Sequence, residues 1–310
     1  MRTETTVATL FLAFLFLMSC DTSEKNLIPS SNPEGSSSNQ KQRSLSKQFK
    51  DYWYDGTAEI TSYQLTQERY GELREGTAVT IFVTEDFIPK AQVKADQASE
   101  ENIPVLKLNA VKKFVTGIYP YSIMTSTFSP IPTEEHALKV TNSVQEWCGQ
   151  TYLQLNSRSE FELTGHSYFA SEGDFETTLE KTWLEDELWN RIRINPEELP
   201  TGDVSMIPSF EFLRLRHKEA MAYKGYAKLQ QRDSLTSYSI EYPEIQRSLI
   251  IYFNSTFPFE IEKWEETNAS QSLDSTSLKT SAVRLRRIEA AYWEQNKNKD
   301  RTLRDSLELK

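Results

Sequence analysis

The chain has 310 residues, with 35 Lys and Arg against 45 Asp and Glu, for a formal net charge of −10. That balance excludes nucleic acid as an expected partner, because such binding relies on clustered cations, and it supplies no polybasic patch for an anionic membrane surface. Two cysteines and three histidines leave little room for a disulfide framework or a dedicated metal site, so stability must come from an apolar core, for which 12% aromatic residues are well suited.

In chain order, the first feature is an apolar run over residues 7–18, broken only by Thr9. It is shorter than the roughly 20 residues a membrane-spanning helix needs and suits the h-region of a signal peptide. Leu17-Met18-Ser19-Cys20 resembles a bacterial lipobox, with a small residue before the cysteine whose sulfur takes the diacylglycerol. Residues 1–19 are therefore expected to be a lipoprotein signal peptide, with Cys20 the lipidated residue that holds the protein to a membrane of the cell envelope. Asp21 resembles the inner-membrane retention signal of enterobacterial lipoproteins, a rule other phyla do not follow, so either leaflet remains open. Residues 20–47 are rich in Ser, Asn, Gln, Lys and Pro and read as a flexible tether that cannot bury enough apolar surface to order itself.

From residue 48 to 310 the dominant hydrophobic period is two, and one domain is expected. Strand-like runs fall at 57–65, 77–84, 105–108, 122–128, 137–144, 151–155, 161–169, 205–213, 220–229, 237–242 and 248–253, most of them separated by polar turns. The near-continuous apolarity of 248–253 predicts a strand buried on both faces, or an end where the sheet curls over itself. One segment breaks the period: Leu184, Leu188 and Ile192 recur at four, widened by Trp189, with Asp186, Asn190 and Arg193 on the other side. This spacing predicts an amphipathic helix laid against the sheet. Residues 283–288 fit strand or helix, and 300–307 predict a short terminal helix. The fold class is thus mainly β: a curled antiparallel sheet or half-barrel with one covering α-helix and a short C-terminal helix.

Few constellations carry chemistry. His136, His166 and His217 show no spacing that places two metal ligands on one element, and no P-loop, Gly-x-Ser-x-Gly elbow or dinucleotide fingerprint is present, so no cofactor or metal is expected. Cys148 is a candidate nucleophile if a histidine lowers its pKa. The aromatic clusters Tyr52-Trp53-Tyr54, Tyr119-Pro120-Tyr121 and Tyr292-Trp293 read as core packing at sheet rims or as the lining of a groove for an apolar or glycan ligand.

Several stretches resemble an uncharacterised family of Bacteroidetes-type envelope lipoproteins: Phe49-Lys50-Asp51-Tyr52-Trp53, the run from Gly117 to Met124, Gln145-Glu146-Trp147-Cys148-Gly149, and Tyr292-Trp293 with Asn296, Asp300 and Leu303-Arg304. Some members carry the name "septum formation inhibitor Maf". True Maf proteins are cytoplasmic pyrophosphatases with an amino-terminal Ser-x-Ser-Pro-Arg-Arg loop, which this chain lacks, so the name transfers no activity. Pro196 to Pro200, Ile240-Glu241-Tyr242 and the run from Ser248 to Ile261 are similar, more loosely, to periplasmic half-barrel proteins of unknown function, in which a long sheet curls around a helix or an apolar groove. The leading expectation is a non-enzymatic, lipid-anchored envelope protein that binds an apolar ligand, a glycan or an envelope component, with Trp53, Tyr119, Tyr121, Trp147 and Trp293 as groove candidates. The alternatives are an envelope hydrolase using Cys148 or His166 and a structural subunit of an envelope assembly.

Overall fold

A computed structural model describes residues 42–269 and 278–309. The expected signal peptide, Cys20 and most of the expected tether lie outside these residues. Residues 42–46 already belong to the folded body: Gln42 bridges Thr133, and Arg43 pairs with Glu198 while donating to the carbonyls of Pro130 and Ile131.

A short helix α1 (Lys47–Trp53) opens the fold, capped by the Ser46 hydroxyl, which accepts from the Phe49 amide. An antiparallel meander follows: β1 (Ala58–Arg69), β2 (Glu72–Ile88) with the two-residue β3 (Val93–Lys94) beside it, β4 (Ile103–Thr116), β5 (Tyr119–Pro130), β6 (Lys139–Glu146), β7 (Gly149–Ser157), β8 (Phe161–Ser167) and β9 (Phe175–Leu179). The chain then forms β10 (Trp183–Leu184), a 3-10 turn (Glu185–Glu187), α2 (Leu188–Ile194), β11 (Gly202–Ile207) and α3 (Phe210–Leu215). A second meander returns through β12 (Tyr223–Arg232), β13 (Leu235–Tyr242), β14 (Arg247–Asn254), β15 (Ile261–Thr267) and β16 (Lys279–Ala290), and the chain closes with α4 (Leu303–Ser306). β16 pairs with β1, which fuses both meanders into one 16-stranded sheet.

The strand order runs from β10 at one edge to β9 at the other, yet only residues 180–182 separate these two strands in the chain. Four Cα steps reach about 14 Å at most, so the opposite edges lie side by side at that point. No ladder joins them, and the sheet is an open, curled one with a seam. The mainly-β fold with a short C-terminal helix is as the alternation predicts. In β14, burial alternates regularly: Leu249, Ile251 and Phe253 are buried and Ile250 and Tyr252 half-buried, so one face points to the core and the other stays partly open.

Two readings are corrected. Residues 205–213 are not one strand: β11 ends at Ile207, and the Ser209 hydroxyl then caps α3 by accepting from the Phe212 amide. Helix α2 is present, but its polar side does not face solvent. Asp186, Asn190 and Arg193 are all buried, because the segment lies inside the curl of the sheet, with strands on more than one side. Asn190 donates to the carbonyls of Leu106 in β4 and Thr127 in β5. Arg193 grips Glu59 of β1 with two bonds of 2.5 Å and donates to Pro258 O beyond β14. Its guanidinium also lies 5.0 Å from the Trp53 ring and 4.8 Å from that of Phe82.

Burial would raise the Glu59 carboxyl, but Arg193, with help from Tyr52 and Arg287, holds it down at about 2. A pair sealed this well is expensive to break on one side. Glu59→Gln should cost about 3–5 kcal/mol at neutral pH, because it leaves Arg193 buried without its counter-charge. The folded carboxyl ionises below its ordinary 4.5, so this contribution is present above that value and is lost as pH falls towards 2. Urea unfolding of both proteins across that range checks the prediction, and a penalty that persists unchanged at the acid end contradicts it.

Candidate ligand cavity at the sheet seam

Three kinds of space surround the core. The first is a small cavity of about 50 Å³ between α2, α3 and the central strands, walled by Lys112, Glu185, Asp186, Glu211, Arg247 and Glu266 beside Trp189 and Trp264. Lys112 holds Glu211 and Glu266 at 3.0 Å each, while Arg247 binds Glu185 and reaches Glu266 at 3.1 Å. Four carboxyl groups thus meet two cations in the interior. Despite burial, the paired cations hold Glu266 down at about 2, whereas burial and the Glu266 charge leave Glu211 raised. Asp186 has no cation of its own. Burial, reinforced by Glu185 and Glu211, pushes it up to about 8, against the Phe210 amide that donates to it at 3.0 Å. With room for a few waters at most, this cluster fastens α2 and α3 to the sheet and does not accommodate a ligand.

The second space is a cavity of about 630 Å³ at the seam, within the range of small-molecule sites. It opens between the concave ends of β6–β9 and the segment from Leu213 to Met221 that leads out of α3. Leu153, Phe175, Leu179, Leu213 and Met221 supply apolar lining, and Asn142, Thr151 and Arg214 supply polarity. Arg214 donates to Thr151 Oγ1 at 3.0 Å and to Glu172 Oε1 at 3.1 Å, and His217 Nδ1 lies 2.7 Å from the same carboxylate oxygen. The Phe175 ring lies across the concave face over Gly165, its cross-strand partner, where an added Cβ would stand 2.2 Å from the ring. Gly165 is therefore what lets an aromatic ring floor the cavity.

The third kind is shallower and lies on the outer face. One depression of about 770 Å³ holds Cys148 and Tyr168 and shares His166 with the rim of the seam cavity. Another of about 340 Å³ lies between β1, β2 and β4 and the C-terminal segment, near Tyr292.

The five aromatic candidates do not converge on one groove. Trp53 and Tyr121 are sealed in the core, Trp53 against Phe82 and Tyr121 stacked on Phe114 with centroids 4.9 Å apart. Tyr119 meets Trp147 at 6.4 Å on the tips of neighbouring hairpins, outside the cavity. Trp293 packs with Ile60, Val83 and Leu307 under the C-terminal segment on the opposite face of the sheet. The residues that line the cavity had no motif to reveal them: Arg214, Glu172 and His217 come from a helix and two loops, and only the fold joins them.

Cys148 is exposed and free. Its thiol is pushed up by the Glu146 side chain, so the neighbour is the wrong charge for an activated nucleophile. His166 lies 3.5 Å from Asp174, with both side chains largely exposed. Among the described residues no hydrogen bond links Cys148 to His166, and no group of His, Cys, Asp and Glu is arranged to hold a metal ion. His136 is structural: its Nδ1 lies 2.7 Å from buried Glu187 and its ring stands edge-on to Trp183.

No protein-family model, curated protein or solved structure matches the chain. The cavity's geometry is therefore the basis on which function is argued.

The unpaired Asp186 generates a pH dependence. Unfolded, it ionises near its ordinary 3.8; folded, it stays protonated to about 8. The native state binds the extra proton between those values, so this group's contribution to stability falls as pH rises through that window. Asp186→Asn keeps an oxygen to accept from Phe210 and removes the titration. The variant should gain on the wild type from about pH 5 to about pH 8, by up to about 1.4 kcal/mol for each pKa unit crossed. Equal urea midpoint differences at the two pH values contradict this assignment.

Proposed function

We propose that the protein is a non-enzymatic, lipid-anchored component of the cell envelope that binds an apolar ligand with one polar end in the seam cavity. The observation that carries this reading is the unclosed seam. β9 and the segment before β12 diverge there, leaving a space of about 630 Å³ walled by Leu153, Phe175, Leu179, Leu213 and Met221. The Arg214, Glu172 and His217 cluster at its edge suits a polar end group, while the apolar side chains exclude water from the rest. An apolar ligand fits this lining better than a glycan, because the aliphatic Leu153, Leu179, Leu213 and Met221 outnumber the aromatic rings of Phe175 and Tyr152. The lipobox-like Leu17-Met18-Ser19-Cys20 supports the anchor and the envelope location.

The reading against enzymatic activity rests on the same geometry. The one free thiol among the described residues sits beside a carboxylate that keeps it protonated, and the His166–Asp174 pair lies in solvent. Native mass spectrometry of the purified chain tests the proposal. The expected result is a retained non-covalent adduct that Leu153→Trp, which places an indole across the apolar lining, weakens or displaces at unchanged thermal stability. No adduct, together with no binding of an apolar fluorescent probe, overturns it.

A further inference from the structure

The antiparallel register places four hairpin tips at one end of the sheet: residues 70–71 between β1 and β2, 117–118 between β4 and β5, 147–148 between β6 and β7, and 168–174 between β8 and β9. The register steps the tips by about two residues from one hairpin to the next, and neighbours stay in contact: Tyr70 Oη lies 2.8 Å from Tyr121 Oη, the Tyr119 and Trp147 rings are 6.4 Å apart, and the Tyr168 ring packs beside Gly149. Each tip exposes a large apolar or aromatic side chain: Ile118 at 81%, Tyr168 at 78%, Trp147 at 68% and Tyr70 at 51%. The tip between β7 and β8, at the other end, is Arg158-Ser159-Glu160. The mouth of the seam cavity lies at the aromatic end, bounded by the 168–174 loop.

We propose that this rim is a docking edge that inserts into a lipid bilayer. Its side chains stand on separate protruding tips, and not on a continuous flat patch of the kind that packs against a protein. Trp and Tyr present an apolar body and a polar edge, the combination found at headgroup level in membranes, and Ile118 supplies the deeper apolar contact. The nearby charges are mainly acidic, including Glu72, Glu146 and Asp174, so the matching surface is zwitterionic and not anionic. The chain outside the structure allows this geometry. The folded body begins at Gln42, at the end opposite the rim, where it bridges Thr133. The stretch from Cys20 to Gln42 reaches about 75 Å when fully extended, and the 17-residue strand β2 is about 57 Å long. A molecule anchored at Cys20 can therefore turn its rim to the same leaflet. In this respect the inference rests on the anchored-envelope reading above.

The test uses the full chain carrying Cys20→Ala, which leaves Cys148, on the Trp147 tip, as the one thiol. An environment-sensitive fluorophore on Cys148 should shift to the blue with phosphatidylcholine vesicles and be quenched by brominated acyl chains. The same fluorophore on Arg158→Cys, in a chain also carrying Cys148→Ser, should report water, which separates rim insertion from any membrane contact of residues 1–19. Ile118→Asp should weaken the Cys148 response about tenfold or more, as expected for losing one buried aliphatic side chain. A silent Cys148 label, equal responses at both positions, or an unchanged response in Ile118→Asp overturns the proposal. Mass analysis of the unmutated chain reports acylation of Cys20 separately. A responsive rim on a chain found unacylated refutes the anchor alone, and a silent rim on an acylated chain refutes the docking edge alone.

Discussion

The ion pair between Arg193 and Glu59 is the constraint on which the rest of the structure depends. It places a charged side chain of α2 against the inner face of β1, the strand where the two meanders join. Around it, Arg247 with Glu185 and Glu266, and Lys112 with Glu211 and Glu266, tie the same crossover to β14, β15 and β4. A segment fastened to strands on several sides leaves the sheet little choice but to curl around it. Apolar side chains of similar size would fill the volume at least as stably, but they would not specify which strand meets which residue. We read the buried charges as the device that sets the crossover's position.

That position explains where the molecule is open. The crossover and α3 pack mainly over β4, β5 and β6, and α3 reaches the near end of β7 through Arg214 and Thr151, while Leu153, Phe175 and Leu179 of β7 and β9 face the cavity. Beyond that point the two edges of the sheet diverge from their closest approach at residues 180–182, and the cavity occupies the gap. The polar cluster of Arg214, Glu172 and His217 sits where α3 ends, so the helix that closes the core also furnishes the edge of the cavity. The hairpin tips with exposed aromatic side chains belong to the same end. Core, cavity and rim are thus successive consequences of one crossover laid inside an open sheet.

Much of the strand pattern was legible because alternation reports a half-buried pleat directly. The expected runs at 161–169, 237–242 and 248–253 match β8, β13 and β14 closely. β9 escaped because Phe175-Glu176-Thr177-Thr178-Leu179 is an exposed edge strand with little apolar contrast. Residues 205–213 read as strand because the capping role of Ser209 after Pro208 was outweighed by the apolar run around it. The helix expected over 179–192 begins only at Leu188, after β10 and a 3-10 turn, and its surroundings were not legible either. Periodicity registers that Asp186, Asn190 and Arg193 are polar, but not that partners 24 to 134 residues away await them. The cavity was invisible for the same reason, since its walls come from β6 to β9 and from the segment after α3. Aromatic clustering along the chain found both core residues and rim residues and could not separate Trp53 and Tyr121 from Tyr119 and Trp147.

Native-state hydrogen exchange is the most direct test of the claim that the charge-locked crossover organises the fold and leaves the seam loose. The account predicts that amides of α2 exchange only through global unfolding, together with those of β2 and β4. Amides of residues 168–174 and 216–222, around the cavity mouth, should exchange through local openings that depend little on urea. If α2 instead exchanges as fast as the 216–222 segment, the crossover is not the constraint that shapes this molecule.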